Sequence, residues 1–239
     1  MAFLEIENLS KSFGGLLAVN SLDLAVTKGE VLGVIGPNGS GKTTLFNLIS
    51  GLLKPDKGRI ALEDKEIAGT SPYRICESGI ARTFQIVKPF KEMSVLKNVM
   101  VGRAYGSRPL KHMGRIRAES QELLRFTGLA GKQDVIAEKL NLIDRKRLEL
   151  TRALATQPKL LLLDEVMAGL NSAEIEEAMN LVRQISKSGV TIILVEHVMK
   201  AVLNLSDRVF VLHLGNRIAE GPPEEVMNDE KVVKVYLGE

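Results

Sequence analysis

The chain has 239 residues, 45% of them apolar and 26% charged, with a net charge of +3. That length suits one large α/β domain or a core domain with a smaller subdomain, and the charge is too small to point to nucleic acid. The single cysteine, Cys76, excludes an internal disulfide and suits a reducing compartment. The opening stretch MAFLEIENLSKSF lacks the basic and apolar regions of a signal peptide, and apolar runs such as LLLL at Leu160 to Leu163 fall far short of a membrane span. A cytoplasmic chain is expected, one that would reach a membrane only through a partner.

In chain order, LEIENL alternates and LLAVNSLDLAV is rich in strand formers, with a turn at Lys28-Gly29. VLGVI, residues 31–35, reads as a buried strand. It leads into GPNGSGKTT and a helix over LFNLIS, stopped by Gly51 and Pro55. RIALED is a strand candidate. SPYRICESG reads as a helix with Ser71 as N-cap and Pro72 in its first position, and IARTFQ as the next strand.

From 87 to 157 aliphatic strands give way to several helices with basic loops, where Arg103, Arg108, Lys111, Arg115 and Arg117 read as a solvated face. Strand signals return with KLLLLD, followed by a helix over 172–187 ended by Gly189, and then by VTIILVE. Another helix, the strand RVFVLHL, a Gly215-Asn216 hairpin turn and two short helices finish the chain. The expectation is an α/β P-loop NTPase core with a mostly parallel sheet, an N-terminal antiparallel β portion and a helical insert. The core takes residues 1–86 and 158–239, the insert 87–157.

Gly36-Pro37-Asn38-Gly39-Ser40-Gly41-Lys42-Thr43, continued by Thr44, fits G-x-x-x-x-G-K-S/T between an apolar strand and a helix. The glycines let the backbone curl so that N–H groups face phosphate oxygens, and the helix N-terminus adds partial positive charge. Lys42 would reach the β- and γ-phosphates of ATP, and the Thr43 hydroxyl would bind Mg²⁺. Downstream, the run at Leu160–Leu163 ends in Asp164-Glu165. Asp164 would hold Mg²⁺ through water, and Glu165 would polarise the attacking water. His197, just past VTIILVE, stands at the same sheet edge, where imidazole could bond the γ-phosphate. His112 and His213 read as structural.

GPNGSGKTT, Gln85 in ARTFQ, LLLLDE and His197, in that order, resemble the ATP-binding subunits of ABC transporters over nearly the whole chain. LSKSFGGLLAVNSLDLAV, ARTFQIVKPFKEMSVLKNVMVG, RALATQPKLLLLDE and the ending YLGE resemble the branch that serves branched-chain amino-acid importers. The resemblance implies that Phe13 stacks on adenine and that Gln85 contacts Mg²⁺ and the attacking water. It implies that the insert docks on transmembrane permease subunits, so the chain would lie on the inner face of the membrane without touching the solute. Ala168-Gly169-Leu170-Asn171 matches the family's dimer-contact loop, where aspartate is commoner than Asn171.

The resemblance further implies a signature loop, Leu-Ser-Gly-Gly-Gln, that grips ATP held by a second ATP-binding subunit. Here the stretch reads LNLID. Asn141 replaces the serine, Leu142 fills the variable place, Ile143 replaces the second glycine, and Asp144 replaces the glutamine. Asn141 can cap a helix. Ile143 adds a β-branched side chain where backbone should approach phosphate. Asp144 would bring a carboxylate near a triphosphate, with Arg145 and Lys146 able to offset it. A weak signature complemented by a different ATP-binding chain is the expected arrangement. Other readings are a nucleotide-gated switch with negligible hydrolysis and an importer ATPase for another small solute. A P-loop kinase or an ATPase acting on nucleic acid fits the motifs poorly.

Overall fold

The computed structural model describes residues 2–237; Met1 and the last two residues of the YLGE ending, Gly238 and Glu239, lie outside them. The two strand types seen in the sequence segregate into two sheets. The N-terminal segments pair antiparallel: β1 (Leu4–Phe13), β2 (Leu16–Val26), β4 (Lys57–Leu62) and β5 (Lys65–Glu66), in the order β2-β1-β4-β5. The second sheet runs β10-β9-β3-β8-β7-β6. Its members are β3 (Val31–Ile35), β6 (Ile80–Arg82), β7 (Leu160–Asp164), β8 (Thr191–Val195), β9 (Arg208–His213) and β10 (Asn216–Gly221). Its pairs are parallel except β9–β10, a hairpin closed by Leu214 and Gly215 at positive φ. Parallel strands need cover on both faces, which is why VLGVI, LLLLD and TIILV are buried throughout.

The helices are α1 (Lys42–Ile49), α2 (Pro72–Ser78), α3 (Val95–Tyr105), α4 (Met113–Phe126), α5 (Leu142–Ala155), α6 (Ser172–Lys187), α7 (Met199–Leu205), α8 (Pro223–Met227) and α9 (Glu230–Leu237). α6 occupies the span its pattern predicts, opened by a capping box between Asn171 and Glu174. α2 begins after Ser71, but the serine side chain makes no capping hydrogen bond. The strand expected over IARTFQ pairs only through Arg82. Phe84 gives its N–H to the Glu149 carboxylate, 2.9 Å away, and the chain leaves the sheet edge there.

α3, α4 and α5 share an apolar cluster of their own, with Val95, Val99, Leu124, Leu129 and Leu148 fully buried. Arg103, expected on a solvated face, is instead buried within these helices. Its Nε donates to Glu119 at 2.5 Å, and its Nη1 donates to the Arg108 carbonyl at 2.5 Å. A guanidinium that donates in two directions can be buried where a lone charge could not. Leu148→Ala should cost about 2–5 kcal/mol, read as a lower urea midpoint with an unchanged slope.

Candidate nucleotide site

β3 delivers the chain to Gly36 at the centre of the parallel sheet. Gly36 has φ +149°, and a Cβ there would lie 2.1 Å from the Leu212 carbonyl oxygen. Gly41, the N-cap of α1, has φ +110°, and a Cβ there would lie 2.5 Å from the Ala18 carbonyl oxygen. The loop therefore closes against β9 and β2 only with glycine at both places. Asn38 and Gly39 are exposed, Thr43 is exposed, and Thr44 is half-buried. Ser40 is buried, and its hydroxyl has no hydrogen-bond partner among the described residues. The Lys42 ammonium is buried and donates to the carbonyls of Gly36 (2.7 Å) and Pro37 (2.9 Å). Burial pushes the Lys42 pKa down, while the charges of Glu165 and Asp164 push it back up. An unpartnered hydroxyl and an ammonium satisfied only by its own loop, ahead of a helix N-terminus, fit a phosphate group.

Across the sheet edge, β7 ends in Asp164, and Glu165 follows at φ +50°. A left-handed backbone costs a residue with a side chain about 1–2 kcal/mol, so this turn is held by its surroundings. The Glu165 N–H donates to the Val195 carbonyl at 2.9 Å. One carboxylate oxygen accepts from Gln85 Nε2 at 2.8 Å, and the other lies 2.9 Å from His197 Nε2. Three residues from three separate loops thus meet on one carboxylate, and its two oxygens are those that could take a proton from water. Asp164 is buried, and Arg82 donates to it at 2.8 Å. Thr43, Gln85 and Asp164 line one groove, with oxygen donors suited to Mg²⁺.

The family model described as "ABC transporter" matches residues 19–168, and one described as "Branched-chain amino acid ATP-binding cassette transporter" matches residues 216–239. The chain belongs to the ABC transporter family. As a cassette of that family it is the ATP-hydrolysing subunit; among the described residues no helix is long and apolar enough to cross a membrane. It is 39% identical over 249 residues to the high-affinity branched-chain amino acid transport ATP-binding protein LivG of Salmonella typhimurium, covering 99% of this chain and 98% of the relative. It is 40% identical over 247 residues to the probable LivG of Archaeoglobus fulgidus, covering 100% and 96%. Among solved structures, a nucleotide-free ATP-binding cassette from an ABC transporter superposes with a TM-score of 0.91 at 37% identity, covering both chains fully. An ABC cassette in its ADP conformation gives a TM-score of 0.90 at 36% identity, again covering both chains fully. Cassettes of this family work as dimers with membrane permease components.

Within this ABC cassette the signature-like loop is less hostile to a nucleotide than its letters suggest. Asn141 caps α5, its side-chain oxygen accepting from the Asp144 N–H at 2.9 Å, as a serine there would. The Asp144 carboxylate is buried and paired with Lys132, so it does not face outward as a bare charge. Arg145 and Lys146 are not its partners: Arg145 donates to the Glu138 carbonyl at 2.7 Å, and Lys146 turns toward the segment after Glu165. Leu142 is 54% exposed and packs beside Gly169 in the stretch expected to contact a second cassette. Phe13 is 46% exposed at the end of β1, close to where β2 passes the phosphate loop, with the Lys11 ammonium 5.7 Å from its ring.

Four charged residues absent from the sequence-based site support it from behind. Arg82 lies over the rings of Phe46 and Phe84 and donates to Asn47 (2.6 Å) and Ser50 (3.2 Å) as well as to Asp164. Glu196 accepts from the Met167 N–H at 2.8 Å, and Glu149 accepts from the Phe84 N–H. Lys146 donates to carbonyls at 165, 166 and 168. Their available signal was a charge in an apolar context: Glu196 closes the buried run VTIILVE, and Lys146 and Glu149 stand at i,i+3 in a helix.

Burial is the largest cause raising both Glu149 and Glu196 from the ordinary value of 4.5 to about 7, against the N–H donors that lower them. Between those values the folded chain holds protons that the unfolded chain has released, so stability present at low pH is lost as pH rises through about 7. Glu196→Gln should flatten the fall in urea midpoint between about pH 4.5 and about pH 7. Parallel slopes for the variant and the parent chain would rule out this source.

Proposed function

We propose that the chain hydrolyses ATP, with Mg²⁺, to power an importer of branched-chain amino acids or closely related solutes. The carrying observation is the single carboxylate of Glu165 held between Gln85 and His197, facing the edge where the phosphate loop opens. In this reading ATP enters the loop and its phosphate oxygens take Lys42 from the Gly36 and Pro37 carbonyls. Ser40, Thr44 and the Asn38–Gly41 backbone complete the grip, and Phe13 carries the adenine. Glu165 orients the attacking water and takes its proton as oxygen adds to the γ-phosphorus and ADP departs. Gln85 and His197 keep that carboxylate aimed, and His197 is within reach of the departing phosphate. Thr43, Gln85 and Asp164 would hold Mg²⁺, whose charge would offset that of the phosphates.

The solute reading rests on relatives named for branched-chain amino acid transport and on the family match at 216–239. The chain would not touch the solute. A groove of about 610 Å³ between the core and the helices, lined by Leu52, Phe84, Ile86, Arg152 and Gln85, is where a permease segment would rest and feel Gln85. Residues 87–157 would then be the docking subdomain of a cytoplasmic chain peripheral to the membrane, and residues 1–86 and 158–239 its ATP-binding core.

The second ATP-binding subunit is proposed to be a different chain. The inward turn of Asp144 removes the repulsion expected from the sequence, but Leu142 and Ile143 still occupy the first turn of α5, which must approach phosphate closely in that reading. Glu165→Gln keeps the shape of the site while removing its base, so it should trap ATP. Its mass by light scattering with ATP-Mg²⁺, alongside equilibrium dialysis of ATP, decides the matter. Bound ATP on a chain that stays monomeric is expected. Dimerisation of the lone chain would make the loop competent and refute the two-chain arrangement; absence of ATP binding would refute the nucleotide reading itself.

A further inference from the structure

α5 carries two charged side chains, one turn apart, that do not line the phosphate loop. Lys146 Nζ donates to the carbonyls of Glu165 (3.2 Å), Val166 (3.2 Å) and Ala168 (2.6 Å). An ammonium has three donors, and here all three find the same turn. Carbonyl oxygens converging in this way repel one another unless a cation sits between them. The turn also contains the left-handed Glu165 and is held by Glu196 as well, which accepts from the Met167 N–H. Three residues along α5, Glu149 accepts from the Phe84 N–H and fixes the start of the loop that carries Gln85. One helix face therefore holds the backbone beneath both members of the Gln85–Glu165 hydrogen bond.

We propose that Lys146 and Glu149 are positioning residues that set the Gln85–Glu165 contact from α5. The inference rests on the hydrolysis reading above and deepens it. α5 starts with Asn141 as its N-cap and Leu142–Asp144 as its first turn, which in that reading face nucleotide held by the second cassette. A helix is stiff along its axis, so a shift of this loop is carried to Lys146 and Glu149 and through them to the water-orienting pair. Each cassette's readiness to hydrolyse would then depend on whether its own signature-like loop is engaged.

The test measures turnover and ATP affinity of Lys146→Met, Lys146→Arg, Glu149→Leu and Glu149→Gln in the assembled transporter. Lys146→Met should lower kcat about tenfold or more while ATP affinity stays within about twofold. Lys146→Arg, which restores a cation with several donors, should recover most of the turnover. Glu149→Leu should behave like Lys146→Met, whereas Glu149→Gln keeps an acceptor for Phe84 and should retain activity. In a Glu165→Gln background, Lys146→Met should cause no further loss, because it acts through Glu165. A Lys146→Met enzyme at parental kcat, while Glu165→Gln is inactive, overturns the proposal alone. Losses that multiply in the double variant, or a fall in ATP affinity equal to the fall in kcat, overturn it as well. Parental turnover in Glu165→Gln would instead overturn the assignment of Glu165 as the base, on which the proposal rests.

Discussion

The site depends on one carboxylate. Glu165 accepts from Gln85 through one oxygen and meets His197 through the other, while its own backbone sits at φ +50°. Gln85 follows β6, Glu165 follows β7, and His197 follows β8, all at the carboxyl ends of adjacent parallel strands. Moving any one strand by a residue would separate the three. The parallel registers of β6–β7 and β7–β8, fixed by buried aliphatic runs, are thus what turn distant letters into one constellation.

Around this point the fold concentrates charge that it has taken out of water. Arg82 faces Asp164, Lys146 lies near Glu149, Glu165 and Glu196, and Lys42 feels both strand-end carboxylates. A buried charge persists only where partners satisfy it. Here the partners are mostly backbone: three carbonyls for Lys146, two for Lys42, and one N–H each for Glu149 and Glu196. Charges tied to backbone hold loops as well as themselves. The loops after Arg82, Asp164 and Val195 are therefore braced at their first residues and open toward the groove beyond. A nucleotide entering would first compete for Lys42, whose partners belong to the same loop that would receive the phosphates.

Local signals were legible in the letters, and signals that cross the fold were not. The phosphate loop, α6 and the aliphatic strands declare themselves within a few residues, because glycine spacing, capping and burial act over that range. Gln85, Glu165 and His197 could be marked as strand-end polar residues, and the parallel sheet brings them together. Arg82 could not be paired with Asp164, since the partners are 82 positions apart. The same distance problem hid Arg103, whose neighbours come from the next helix and its preceding loop. Asp144 is a related case. Beside Arg145 and Lys146 in the sequence it reads as a charge near phosphate, yet its partner is Lys132, and Lys146 serves the turn after Glu165 instead. In a helix, sequence neighbours point in different directions, and tertiary packing chooses which of them meet.

The most direct measurement is single-turnover ATP hydrolysis by the assembled transporter carrying Glu165→Gln, with ATP affinity determined on the same sample. The account predicts hydrolysis slowed by about a hundredfold or more with affinity nearly unchanged, because the amide fits the same place but cannot take a proton from water. Hydrolysis within a few-fold of the parent, at equal affinity, would show that another group activates the water and that the Gln85–Glu165–His197 constellation is architecture rather than chemistry.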